Sequence, residues 1–406
     1  MNATDAITSQ ATFPLSRTDP LKPPPEYARF RDEAPLKKVT LWNGRTAWLA
    51  TRMEDVKAIL ASPHVSVNPF TPGYPFLTPR REATVKAYKT FLVMDPPDHT
   101  KFRRMLSGDF TQKRMELLRP GIEAMVEKLI DDMLTKGPPV DLVEMLAQRL
   151  PVNVVSELLG VSHDDDEQLV KWSLEQLGLT GDPSVAIDAN KKMLAYFDDL
   201  IKQMETGPVD GNKNTLSRFV ENIKAGTIER IDAVLLAWQF YFAGADTTAN
   251  MISLGVLSFI LAPEQQEKLF AKPELLNNAI EEMLRFHAIA HYNAARVATA
   301  DIKVGDQVIA KGDGIYALVN AANRDPSVFP QPDKFDIERK NAEEHVTFSY
   351  GLHQCLGQPL ARVELRAVFG RLFQRIPGLK LAVPLEELKF KEHMHVYGLY
   401  SLPVTW

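Results

Sequence analysis

Cysteine is almost missing from this chain. Its 406 residues contain one, Cys355. An intramolecular disulfide is therefore impossible, which excludes a disulfide-stapled secreted scaffold and fits a reducing compartment such as the cytoplasm. Charge of one sign is also lacking: 47 basic residues face 52 acidic ones, for a net charge of -5. Nothing in that balance favours nucleic acid as a partner. The N-terminal MNATDAITSQATFPLSRTDP has no basic segment followed by an apolar run, so no signal peptide is expected. No Gly-x-Gly-x-x-Gly loop follows a strand-like run, so neither a dinucleotide unit nor a fused reductase is expected. Internal repeats and low-complexity linkers are absent as well.

One long apolar stretch, residues 233 to 262, raises the question of a membrane. Gln239, Asp246, Thr247, Thr248 and Asn250 interrupt its middle. A carboxylate at a bilayer centre is costly, so a buried helix through a water-soluble core is the expectation. Apolar residues at 45% and charged residues at 24% suit that reading.

The local patterns are mostly helical. A Pro-rich lead-in with a short helix at residues 26–32 precedes two β-type runs joined by Asn43-Gly44, a hairpin signal. MEDVKAILAS reads as a helix. Residues 63–90 carry five prolines and little periodicity, and read as a long loop. Helical patterning holds from residue 98 to about residue 230, with breaks at Gly137-Pro138-Pro139, Gly178 to Pro183 and Gly207 to Gly211. The long helix is expected to start with Asp232 as N-cap and to stop before Pro263. A further helix covers residues 273–287. Short β-type runs follow at 295–319, then an irregular segment at 323–339. LGQPLARVELRAVFGRLFQRI, residues 356–376, reads as an amphipathic helix, and the C-terminus returns to β character. Residues 1–406 thus read as one mainly α domain, α+β in class.

The lone cysteine lies in FSYGLHQCLGQ, between Gly351 and Gly357 and just ahead of a helix. The glycines permit a tight turn or a close approach. Helix N-terminal amides favour a thiolate. Such a sulfur is a nucleophile or a metal ligand, and no Cys/His/Asn constellation points to thiol hydrolysis. A single soft thiolate suits an axial ligand to heme iron.

Phe348, Gly351, His353, Cys355 and Gly357 match the F-x-x-G-x-H-x-C-x-G signature, and the chain resembles the cytochrome P-450 heme-thiolate enzymes. Ser349 stands where that family usually has Gly. AGADTT, residues 243–248, resembles the oxygen-activation segment of the family's long helix. Glu282 and Arg285 form its E-x-x-R pair, and Arg339 its third network member. His99 and Arg103 lie at i, i+4 in MDPPDHTKFRR, and Arg296 follows at the usual distance. The resemblance covers nearly the whole chain and is nearest to soluble bacterial members of actinomycete metabolism. It implies a triangular, helix-rich single domain with a minor β part around a buried heme b (iron protoporphyrin IX).

On that resemblance Cys355 ligates the iron, while His99, Arg103, Arg296 and His353 meet the two propionates, whose buried charge needs charge-assisted hydrogen bonds. Phe348 and Gly357 complete the cofactor loop. Thr247 serves oxygen activation and Asp246 helps relay protons. The residues alone also allow Thr247 to bond back to its own helix and Asp246 to cap a neighbour. Gly244 is expected to weaken the helix and open it locally. Glu282, Arg285 and Arg339 form a structural ion-pair network. Phe70, Phe76, Leu177, Phe242, Ala243, Ala288, Ile289, Asn293 and Tyr397 map to the family's substrate positions, although each equally suits ordinary core. Asn293 and Tyr397 are the polar anchors of an otherwise apolar pocket.

The implied activity is hydroxylation of a small apolar organic substrate with O2. Two electrons come from a separate ferredoxin with its reductase, or from a flavoprotein. Arg104, Lys113, Arg114, Arg362 and Arg366 suit an acidic partner. Two other functions fit the same motifs. One is an NADH-dependent nitric oxide reductase of the same fold, in which Arg80, Arg81, Lys86 and Lys89 meet the dinucleotide. The other is a non-catalytic heme sensor or carrier, against which Asp246 and Thr247 argue.

Overall fold

The computed structural model describes residues 11–406, apart from 88, 89, 212 and 293. Its organising element is the helix Arg230–Leu261, whose apolar residues face inward on almost every side. The helix is long and apolar enough to cross a membrane, yet 78% of its most hydrophobic window is buried inside the fold. Its N-terminus differs from expectation. Glu229 is the N-cap and Asp232 sits at N3, where the two side chains satisfy each other's backbone amides in a capping box.

Around this axis pack Gln112–Lys136, Arg149–Leu159, Pro183–Glu205, Leu276–His287 and Gln358–Phe369. The largest apolar cluster draws on the central helix together with Gln112–Lys136, Leu276–His287 and Gln358–Phe369. Gly244 explains one close approach. A Cβ built there would lie 3.2 Å from Val155 Cγ2 on the crossing helix Arg149–Leu159. The helix is continuous through this point, so Gly244 permits packing and does not open the helix as expected.

The hairpin forms with strands Leu36–Thr40 and Thr46–Ala50, paired from Leu36↔Ala50 to Thr40↔Thr46, and Gly44 takes φ 77° in its turn. Beyond the hairpin lies a longer connection than short-range patterns reveal. Thr46–Ala50 pairs in parallel with Gly314–Ala317, which pairs with Ala295–Ala298, which pairs with Val65–Ser66. This five-stranded sheet carries Arg296 in its interior. Two further expectations change. The Pro-rich segment holds a helix, Pro79–Ala87, and the helix after the cysteine ends at Phe369, with a short separate helix at Leu372–Arg375.

Candidate heme site and oxygen-activating helix

The cysteine loop is held from both ends. Cys355 N–H donates to the Phe348 carbonyl at 2.8 Å, and Ser349 N–H donates to Val346 at 2.8 Å. Ser349 takes φ 65° and Gly351 φ 75°. Glycine is obligatory at 351, because a Cβ would also meet the Leu60 carbonyl oxygen at 2.6 Å. At 349 the serine adopts the conformation that glycine would take with less strain.

Cys355 is solvent-accessible, although enough protein surrounds it for burial to dominate its thiol. Burial pushes its thiol up. The amides of Gly357 and Gln358 and the Arg103 and Arg362 charges pull the other way without overcoming burial. A coordinated cation would favour the thiolate form.

Four basic side chains converge beside this loop. The His99 and His353 rings lie 4.2 Å apart, and Arg103 Nη1 donates to the Gln354 carbonyl at 2.7 Å. His99 is 1% exposed, and neither of its ring nitrogens has a hydrogen-bond partner. Burial, then the charges of Arg296, His99 and Arg103, pushes His353 down to about 3. Burial likewise brings Arg296 down to about 10. Among the described residues none of the four forms an ion pair with a carboxylate, and Arg296 Nη1 is spent only on its neighbour's carbonyl. Buried polar groups are normally satisfied. Two orphaned imidazole nitrogens, the buried Arg296 and the half-buried Arg103, none in an ion pair with an acid among the described residues, fit the two carboxylates of a heme, and the residues present suit that cofactor.

The central helix carries the expected oxygen-activation segment. Ala243 is exposed and Phe242 and Thr247 half-buried in a helix otherwise deep in the core, so this face lines open space. Thr247 Oγ1 donates to the Ala243 carbonyl at 2.8 Å. Asp246 points to the opposite side. Its Oδ1 accepts from Lys391 Nζ at 2.8 Å and its Oδ2 from Asn250 Nδ2 at 2.7 Å. The reading from the residues alone describes these contacts: the threonine bonds back to its own helix and the aspartate is engaged by neighbouring side chains.

Behind the loop, Glu282 receives Arg285 Nε at 2.6 Å, Arg285 Nη2 at 2.8 Å and Arg339 Nε at 3.0 Å, with Glu282 and Arg285 wholly buried. Arg285 and Arg339 continue to the carbonyls of Asn323, Pro332 and Pro330. Asn323 in turn holds Val346 N–H and Thr347 Oγ1, each at 2.8 Å. The network therefore braces the strand of chain that leads into the cysteine loop.

The expected substrate positions separate. Leu177, Ile289 and Ala288 are buried, and Ala288 ends the helix Leu276–His287 in a left-handed conformation with φ 41°. Leu177 accepts His395 N–H, and Ile289 accepts Tyr397 N–H, so both border one C-terminal turn. The Phe76 and Tyr74 rings meet at a tilt with centroids 4.9 Å apart, while Phe70 is 53% exposed. Tyr397 donates its hydroxyl to the Pro20 carbonyl at 2.9 Å under the Arg17 guanidinium. That hydroxyl is engaged by the N-terminal segment and is not a pocket anchor. Asn293 lies outside the described residues. Sequence reasoning missed Lys391, Asn250 and His395; only contacts made across the fold single them out.

The cytochrome P450 family model matches residues 213–377. Cytochrome P450 105A3 of Streptomyces carbophilus is 40% identical over all of this chain and 98% of its own length. The vitamin D3 dihydroxylase of Streptomyces griseolus is 39% identical, covering 99% of this chain and 98% of that one. The crystal structure of the mycinamicin VIII C21 methyl hydroxylase of Micromonospora griseorubida superposes with a TM-score of 0.91 at 36% identity, covering 98% of this chain and all of the other. The chain belongs to the cytochrome P450 family, and its fold and relatives are those of the bacterial, actinomycete-type monooxygenases.

Proposed function

We propose that residues 1–406 form one heme b monooxygenase domain of the cytoplasm that hydroxylates a small, largely apolar organic molecule. The observation that carries this reading is the basic cluster of His99, Arg103, Arg296 and His353 beside Cys355, none of which forms an ion pair with a carboxylate among the described residues. In this reading Cys355 ligates the iron, the cluster holds the propionates, and Phe348 and Gly357 shape the loop. Heme bound there supplies reductive cleavage of O2: one oxygen atom enters a C–H bond, the other leaves as water, and two electrons and two protons are consumed.

The protein's own residues position and protonate. Thr247 spends its hydroxyl proton on the Ala243 carbonyl, which leaves its oxygen able to hold a water on the open face of the helix. Asp246 is the acid nearest in sequence to that hydroxyl, and Lys391 keeps its charge compensated. Phe242, Ala243, Ala288 and Ile289 supply an apolar surround that excludes bulk water. Electrons come from a separate ferredoxin system or flavoprotein. Arg104 and Lys113 are exposed and form no ion pair among the described residues, whereas Arg114, Arg362 and Arg366 are paired with Asp109, Glu281 and Glu116. The first two are the better docking charges.

The nitric oxide reductase reading loses support from the same details. Arg80 is committed to the carbonyls of Glu175, Thr180 and Asp182 and Lys86 pairs with Glu82, whereas the Arg81 side chain makes no such contact among the described residues and Lys89 lies outside them.

Coupling tests the proposal. With a surrogate ferredoxin system, Thr247→Ala is expected to keep consuming reductant while product falls about tenfold or more and hydrogen peroxide rises. Unchanged coupling would remove Thr247 from the mechanism.

A further inference from the structure

A cavity of about 570 Å³ opens beside the C-terminal half of the helix Gln358–Phe369. The helices Gln112–Lys136 and Pro263–Ala271 and the start of Leu276–His287 complete its walls. No residue assigned above to the heme or to the substrate lines it, so its occupancy does not depend on the monooxygenase reading.

The charges of the lining cancel. Three arginines and three glutamates border the cavity. Glu116 pairs with Arg119 at 3.2 Å and with Arg366, and Glu123 pairs with Arg119 and with Arg371, each at 3.4 Å. A wall compensated in this way favours neither an anion nor a cation. The remaining surface is largely apolar. Leu269, Phe369 and Phe373 are buried behind it, while the Phe270 ring is 42% exposed and gains by being covered.

One polar group in this wall is unsatisfied. Gln266 is 9% exposed, its side chain makes no hydrogen bond with any described residue, and its Nε2 is buried without a partner. Its neighbour Gln265 has the ordinary arrangement, with Oε1 accepting Ile337 N–H at 3.1 Å and Nε2 donating to Glu264 at 3.3 Å. Leaving a buried donor unpaired is unfavourable. A water molecule would satisfy the amide but would leave the aromatic surface wet. An uncharged molecule with an acceptor oxygen and an apolar body serves both, and the volume is that of a small-molecule site.

We propose that this cavity is a second binding site, separate from the heme pocket, for an uncharged and largely apolar molecule whose carbonyl oxygen accepts from Gln266 while its body covers Phe270.

The test uses the full, heme-loaded chain and two probes of one shape. The first, 4-fluorobenzophenone, carries a carbonyl acceptor; the second, 4-fluorodiphenylmethane, lacks it. Affinities are read by fluorine NMR. The ketone is also photo-crosslinked, and its adducts are mapped by mass spectrometry. Adducts are expected within residues 263–277 and 366–374. Asn277 and Gln374 are exposed lining residues, so Asn277→Trp and Gln374→Trp should fill the mouth without disturbing the core. Each should remove these adducts and the share of NMR binding that belongs to the cavity, in protein whose thermal melt is unchanged. For that share the ketone is expected to bind about fivefold tighter than the hydrocarbon, the scale of one hydrogen bond. In Gln266→Leu the preference should fall to about twofold or less. No adduct in the two segments, or adducts that survive both tryptophan variants, would overturn the site. Equal affinities for the two probes in the wild type, or a preference that survives Gln266→Leu, would overturn the role of Gln266 and with it the proposal.

Discussion

Lys391 Nζ lies 2.8 Å from Asp246 Oδ1, with the two side chains 7% and 4% exposed. One comes from the centre of the long helix and the other from the C-terminal segment, so the pair ties the oxygen-side helix to the turn that borders the pocket. Removing one member of a buried ion pair leaves the other charge uncompensated and typically costs about 3–5 kcal/mol. Lys391→Met is expected to lose stability on that scale in denaturant titration. Asp246→Asn combined with Lys391→Met should cost clearly less than the sum of the single changes. Additive losses would show that the two groups do not interact.

A comparable loss is expected at Glu282, which accepts from two arginines and from Asp336 N–H at 2.9 Å. Glu282→Ala strands two buried guanidinium groups, so a destabilisation of roughly 3–5 kcal/mol and poor heme retention should follow. Arg285→Lys should not be tolerated either, because an ammonium cannot replace the fork that reaches Glu282, Asn323 and Pro332 at once. Normal stability and heme content in both variants would deny the network its bracing role.

Ser349 gives a prediction of opposite sign. A non-glycine residue in the left-handed region is strained by roughly 1–2 kcal/mol, while glycine costs about 0.4–1 kcal/mol through the unfolded chain. With φ 65°, Ser349→Gly is expected to gain up to about 1 kcal/mol and to leave the heme spectrum unchanged. A loss of stability would mean that the serine hydroxyl earns its place.

Glu364 sets a pH dependence. Burial pushes it from 4.5 up to about 8, against a hydrogen bond from Thr248, and its Oε2 has no partner. The folded state therefore binds a proton that the unfolded state releases above pH 4.5. Stability is full below that pH and declines as pH rises toward 8. Glu364→Gln removes this contribution, so its advantage over the wild type should grow between pH 5 and pH 8 in parallel thermal melts. A difference that does not vary with pH would exclude a buried neutral acid.

Much of the site was legible because a thiolate loop and its brace demand particular residues at short range. Cys355 with Gly351 and Gly357, the i, i+4 pair His99 and Arg103, and the i, i+3 pair Glu282 and Arg285 each announce themselves locally, as does the Asn43-Gly44 hairpin. The rest depends on contacts between distant segments. The parallel pairing of Thr46–Ala50 with Gly314–Ala317 has no local signal. Lys391 reaches Asp246 across 145 residues. Gln266 looks like any surface glutamine until the fold encloses it. Gly244 was misread for a similar reason: its value lies in the neighbouring Val155, not in its own helix propensity.

Every role proposed for the site depends on Cys355 ligating a heme iron. The direct measurement is the carbon monoxide difference spectrum of the reduced protein, recorded beside Cys355→Ala. The account predicts a strongly red-shifted Soret band in the wild type that disappears in the variant. A spectrum typical of histidine ligation, or a red-shifted band that persists without Cys355, would contradict it.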